Sequence, residues 1–142
     1  MGHYSVLLIK GITLNYSPSD SSEIHVEEFG RYYEEFELDH VYEHRPGRTI
    51  TPTDNIWFTL LTMNNNPLHF DEVYCKDTEF GEPLVDSTFT LAVVTGMSVS
   101  DISYKAIANL GWDSIRLPNP LYHGDTIYAR SEVVSKRESE SR

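Results

Sequence analysis

Thr51-Pro-Thr-Asp-Asn-Ile-Trp-Phe-Thr-Leu-Leu-Thr-Met-Asn-Asn-Asn-Pro-Leu-His-Phe-Asp71 is the stretch from which the rest of the chain is read. Thr51 is placed to cap a helix, with Pro52 at its first position and Asp54 at its third, near the positive end of the helix dipole. Ile56, Trp57, Leu60 and Leu61 then recur at helical spacing, which predicts a helix from Pro52 onward. Asn64-Asn65-Asn66-Pro67 predicts a turn, because Asn tolerates left-handed geometry and Pro67 pushes Asn66 toward an extended backbone. His69 is therefore expected just beyond a stiff turn, with amide groups around it. Shortly afterwards comes Phe80-Gly-Glu-Pro-Leu-Val-Asp-Ser-Thr-Phe-Thr-Leu91. An apolar run, Leu84, Val85, Phe89, Leu91, Ala92, Val93, Val94 and Met97, predicts a buried helix from near Pro83, its length favouring helix over strand. The unpaired N–H groups at the start of that helix would face anything bound close by.

The chain has 142 residues, enough for one domain with a core of its own. Two Trp, nine Tyr and six Phe fit a folded rather than a disordered protein. A formal charge of −11 argues against a nucleic-acid partner or an anionic membrane surface. A single cysteine, Cys75, excludes an internal disulfide framework and fits a reducing compartment. Val6-Leu-Leu-Ile9 is too short for a secretory core and is broken by Lys10. No run reaches membrane-spanning length, so a soluble, cytoplasmic chain is expected.

Residues 1–29 read as an N-terminal extension, with a strand favoured between Val6 and Leu14 and a linker-like break at Ser17-Pro-Ser-Asp-Ser-Ser22. Glu27 to Asp39 interleaves Phe29, Tyr32, Tyr33 and Phe36 with Glu34, Glu35 and Glu37, a solvated acidic face with aromatics packed on the body. Val41 to Ile50 reads as a strand bent around Arg45-Pro46-Gly47. Asp71 to Asp77 reads as one helical turn. Two more strands are expected at Ala106 to Leu117 and Thr126 to Lys136, joined through Pro118-Asn-Pro-Leu-Tyr-His-Gly-Asp125. That makes three strands after Asp39.

From about Gly30 onward the sequence resembles the MaoC-like dehydratases, a family that includes R-specific enoyl-CoA hydratases and mesaconyl-CoA hydratase-like proteins. The residues that carry the likeness are Asn66-Pro-Leu-His-Phe-Asp71, Phe80-Gly-Glu-Pro-Leu-Val85, Asp101-Ile-Ser103, Ala106-Ile-Ala-Asn-Leu-Gly-Trp112 and His123-Gly-Asp125. The resemblance implies an α+β hotdog fold over residues 30–142, a long central helix wrapped by a curved antiparallel sheet. It also implies a homodimer and an acyl-CoA thioester substrate. Since such a sheet has about five strands, either the Val6 to Leu14 segment fills a place in it or, the favoured expectation, the C-terminal strands are missing from this sequence.

Hydratases of the family activate water with an Asp and a His. The His maps onto His69, and the Asp falls on Asn64, whose amide cannot take a proton as a carboxylate can. Where the family has His-Gly at the start of the central helix this chain has Asp86-Ser87, and a backbone N–H at Ser87 would still polarise a thioester carbonyl. The expected catalytic pair is therefore Asn64 and His69, with Asp86 and Ser87 on the oxyanion and substrate side. Asp86 would either orient His69 or replace the missing carboxylate. The remaining histidines are scattered and the eight glycines dispersed, so no metal, no phosphate loop and no cofactor beyond the substrate's own coenzyme A is expected. Arg48, Lys105 and Arg116 are candidate contacts for coenzyme A phosphates.

Three functions fit these residues. One is hydration of an enoyl-CoA or dehydration of a 3-hydroxyacyl-CoA. Another is a hotdog thioesterase using a carboxylate such as Asp86. The third is a non-catalytic acyl-CoA-binding or partner subunit that has lost the carboxylate.

Overall fold

The computed structural model describes residues 26–138. The strand expected between Val6 and Leu14 lies outside them. Strand β1 spans Val41–Thr49, helix α1 Pro52–Thr62, the short helix α2 Glu72–Lys76, helix α3 Ser87–Ser98 and strand β2 Thr126–Glu132. β1 and β2 pair antiparallel, Val41 opposite Glu132 and Thr49 opposite Thr126, and the long helix α3 lies against them. A long helix on an antiparallel sheet is the α+β hotdog arrangement.

β1 carries the expected bend. Between His44 and Arg48 the register shifts, so that β1 spends four residues where β2 advances from Ala129 to Ile127. Such a bulge sharpens strand curvature. A Cβ at Gly47 would stand 2.5 Å from the Tyr128 ring, so any larger residue there has to push that exposed ring aside.

The expectations for three regular elements are corrected. The central helix starts at Ser87, not near Pro83, because Leu84 and Val85 are held in extended pairing. Leu84 bridges Tyr122, its N–H donating to the Leu68 carbonyl at 3.0 Å, and the Val85 N–H donates to the Leu121 carbonyl at 2.8 Å. Helical geometry becomes available only once Asp86 caps the chain. Residues 106–117 form no strand, and β2 ends at Glu132, short of Lys136. Among the described residues the sheet has two strands rather than three. Without a ladder partner, the backbone of 106–117 turns locally instead, with the Gly111 N–H on the Asn109 side chain at 3.0 Å. As a further consequence, α3 contains no fully buried residue. A two-stranded sheet covers one side of it only.

Other elements form as their local chemistry dictates. Thr51 and Asp54 make a reciprocal capping box at the start of α1, and Arg48 pairs with Asp54 at 2.7 Å. In the N-terminal segment Phe29 packs on Tyr104 and Phe36 on Tyr42, while Lys105 and Lys136 lie over the rings of Tyr32 and Tyr33.

α3 continues into a π-helical turn, Val99–Ser103, whose Asp101 reaches the sheet. His44, 1 % exposed, is the tether: one ring nitrogen meets Asp101 Oδ2 at 2.9 Å and the other Ser131 Oγ at 2.8 Å. A carboxylate only accepts, so Nδ1 carries a proton, and in the neutral ring Nε2 accepts from the serine hydroxyl. One side chain thus ties β1, β2 and the end of α3 together.

Candidate functional site

α1 ends at Thr62, and Met63 takes the left-handed conformation (φ 58°) that terminates it, ahead of the asparagines. Asn66 is extended (φ −69°, ψ 118°), as the residue before proline should be, and its side chain caps a 3-10 turn formed by Pro67–His69. His69 therefore lies within this turn rather than beyond it. Its Nδ1 is 3.0 Å from the Leu84 carbonyl oxygen. Since a carbonyl cannot donate, Nδ1 carries a proton, and in the neutral ring Nε2 keeps the free lone pair.

Asn64 is also held in one orientation. Its Oδ1 accepts from the Asn66 N–H at 3.2 Å, and its Nδ2 donates to Asp86 Oδ2. One N–H and one lone pair of the amide remain for other partners. Asn64 lies on the wall of a cavity of 460 Å³ formed with Ile56, Thr59, Leu60, Met63, Asn65 and Phe70.

Asp86 is 3 % exposed and caps α3. Its Oδ1 accepts from the Thr88 N–H at 2.7 Å, the Thr88 hydroxyl at 2.6 Å and the Phe89 N–H at 3.2 Å. Burial by itself raises the carboxyl pKa. The hydrogen bonds from Thr88, Asn64 and Phe89 favour the charged form, outweigh burial and leave the pKa below its ordinary value. The carboxylate is thus committed to structure. It contacts Asn64 and the helix start, not the His69 ring, whose Nδ1 is taken by Leu84.

Ser87 is the first residue of α3. Thr88 and Phe89 give their N–H groups to the Asp86 side chain and Thr90 gives its own to the Asp86 carbonyl. No acceptor among the described residues takes the Ser87 N–H, so the open donor of the helix start is at this position. Ser87 borders a cavity of 320 Å³ with Phe80, Leu84, Thr90, Leu117 and Pro118.

One residue the sequence reading passed over lies at the centre. Asn55 is fully buried. Its Nδ2 is 3.0 Å from the His69 carbonyl, 3.0 Å from the Leu84 carbonyl and 3.1 Å from His123 Nε2, and its Oδ1 accepts the Asp86 N–H at 2.8 Å. Local spacing gave no sign of this, because those partners lie 14 to 68 positions away. The His123-Gly-Asp125 turn has a structural task as well: Gly124 (φ 95°) gives its N–H to the Ile50 carbonyl, and Asp125 accepts from the Ile50 N–H. That pins the end of β1 and aims His123 at Asn55. Burial lowers the His123 pKa, with Glu82 and Glu72 pulling the other way.

Among the basic candidates, Arg48 is engaged by Asp54, and Lys105 by Glu28 at 3.6 Å. Among the described residues no cluster of three or more His, Cys, Asp or Glu side chains has the geometry to hold a metal ion. No described helix is long and apolar enough to cross a membrane.

A helix-on-sheet domain with a histidine turn packed beside the central helix start is a hotdog domain, and its structural neighbours have the same fold. An X-ray structure of a monoamine oxidase regulatory protein from Archaeoglobus superposes with a TM-score of 0.70 at 32% identity, over 79% of this chain and 76% of the other. Residues 35–142 match the MaoC like domain, and the chain belongs to that family. It is 32% identical over 110 residues to a beta-methylmalyl-CoA dehydratase of Chloroflexus aurantiacus, covering 78% of this chain and 31% of that protein. To a mesaconyl-CoA hydratase of Cereibacter sphaeroides it is 28% identical over 110 residues, 78% of this chain and 32% of the relative. The chain thus spans about a third of the length of these relatives.

Proposed function

We propose that this chain hydrates an enoyl-CoA thioester, or dehydrates the corresponding 3-hydroxyacyl-CoA, with His69 as general base and acid. The observation that carries the reading is the contact between His69 Nδ1 and the Leu84 carbonyl: it takes up the Nδ1–H and leaves Nε2 of the neutral ring as the proton acceptor. The relatives named for mesaconyl-CoA hydration and beta-methylmalyl-CoA dehydration support the substrate class.

In the hydration direction a water oxygen bonds to the β-carbon while His69 Nε2 takes one of its protons. The electron pair of the carbon–carbon double bond moves to the thioester oxygen as an enolate. The Ser87 N–H, at the positive end of α3, stabilises that charge. The enolate then takes the proton from His69 at its α-carbon, which restores the neutral imidazole. Asn64 holds the water with its remaining N–H and lone pair, and Asp86 acts by fixing the Asn64 amide and the helix start. The commitment of both Asp86 oxygens counts against a thioesterase that would use this carboxylate as its base.

The chain works as a homodimer in this reading. Trp57, Leu60, Leu61 and Met63 on and after α1 are 65, 73, 79 and 88 % exposed, apolar surface that a second copy would cover.

The test is the decay of enoyl-thioester absorbance with crotonyl-CoA and mesaconyl-CoA, with free thiol followed in parallel and oligomeric state measured by sedimentation. Hydration predicts absorbance loss with no thiol released, abolished by His69→Ala. Stoichiometric release of coenzyme A would move the assignment to a thioesterase. A flat trace from folded dimer would leave acyl-CoA binding as its role.

A further inference from the structure

We infer that Asn55 is the positioning residue of this site: its side chain sets the His69 turn and the first turn of α3 relative to each other. The inference rests on the reading of His69 as the proton-transfer group and goes beyond it by naming what fixes that group in place.

Pro67–His69 and Leu84–Asp86 belong to separate segments outside the sheet, and they meet directly only at Leu84, through its N–H on the Leu68 carbonyl and its carbonyl on the His69 ring. Asn55 touches both. Its amide N–H groups go to the carbonyls of His69 and Leu84, and its oxygen receives the Asp86 N–H, one residue before Ser87. Two hydrogens meet three acceptors, so one is shared with His123 Nε2. The Leu84 carbonyl has two lone pairs and uses one for Asn55 and one for His69 Nδ1–H. The bond that selects the His69 tautomer is therefore made to a carbonyl that Asn55 also holds. Asn55 is rigid itself, lying within α1 on the first turn after the Thr51 capping box. Aspartate could accept from the Asp86 N–H but could not donate to the two carbonyls, and a shorter side chain could not span them. An amide of this length meets all the demands at once.

The test compares wild type with Asn55→Ala. His69 is read by its imidazole nitrogen shifts in NMR, and turnover by crotonyl-CoA hydration across pH. Misplacing a base by about an ångström costs on the order of 100-fold in rate. The expected result is a drop in kcat of about that size with KM moved less than about threefold, and a His69 ring that no longer holds its proton on Nδ1 alone. His44→Gln, a buried change in the tether remote from the site, is the control: it should lower stability while leaving the His69 tautomer as in wild type. Should alanine not fold, Asn55→Ser is read in its place, and in wild type the Asn55 side-chain amide protons should exchange at least about 100-fold more slowly than a free amide. A folded Asn55 variant with wild-type His69 shifts, or unprotected Asn55 amide protons, overturns the inference. If wild type shows no hydration, the functional reading falls, but the tautomer and exchange measurements still decide the role of Asn55.

Discussion

Replacing Asp86 by alanine tests how the start of α3 is held. The substitution removes the acceptor of the Thr88 and Phe89 N–H groups, of the Thr88 hydroxyl and of the Asn64 amide, from a side chain only 3 % exposed. Loss of an N-cap acceptor costs about 1 kcal/mol. Leaving the half-buried Asn64 amide short of its partner adds about 1 kcal/mol, whereas the exposed Thr88 recovers water. The expected destabilisation is about 2 kcal/mol, or roughly 8 °C in Tm for a domain of this size. Asp86→Asn keeps a capping oxygen of equal quality and should cost about 1 kcal/mol or less, through the clash of its amide with that of Asn64. The folded-state pKa of Asp86 lies below the ordinary 3.8, so the native state binds fewer protons there than the unfolded chain. Its contribution is complete above pH 3.8 and is lost as pH falls through the lowered folded value. Urea unfolding followed by tryptophan fluorescence should show a wild-type-to-alanine gap of about 2 kcal/mol at pH 7 that narrows below pH 4, with unchanged m. An alanine variant with the wild-type midpoint at pH 7, or one no worse than asparagine, would refute the capping argument.

Three other outcomes follow from buried groups. Burial lowers the His123 pKa from 6.5, so its contribution to stability is complete above pH 6.5 and declines as pH falls through the folded value; His123→Gln should flatten that part of a urea-midpoint profile. His44→Ala removes both ends of the tether between Asp101 and Ser131 and should cost about 3 kcal/mol in chemical denaturation, against about 1 kcal/mol for Ser131→Ala. Cys75 is fully buried, and that burial, with the nearby Asp71 carboxylate, raises its thiol pKa. A disulfide reagent at pH 8 should label it at least about 100-fold more slowly in the native protein than in urea.

What the sequence showed, and what it hid, divides by the range of the interactions. Thr51 with Asp54, and Asn66 before Pro67, act over one to three positions, so the start of α1 and the turn at His69 were legible from residue type alone. The helix from Pro83 was misplaced by four residues because Leu84 and Val85 suit a helix by composition, while their N–H groups are claimed by Leu68 and Leu121. A strand over 106–117 failed for the converse reason: apolar spacing supplies a face but not a ladder partner. α1 is the most instructive case. The apolar spacing that predicts it points outward, with Trp57, Leu60 and Leu61 exposed, while Asn55 and Thr59 are buried. Amphipathic pattern identified the element and not its inner face, because the inner face is polar. A buried amide is tolerated only when its donors and acceptor are met, and those of Asn55 are met by the His69 turn, the Leu84–Asp86 segment and His123, which converge only after folding. His69 could be picked from its turn as the candidate base, but Asn55, whose amide meets the His69 carbonyl, could not. This asymmetry is expected wherever a site is assembled from side-chain contacts of long sequence separation.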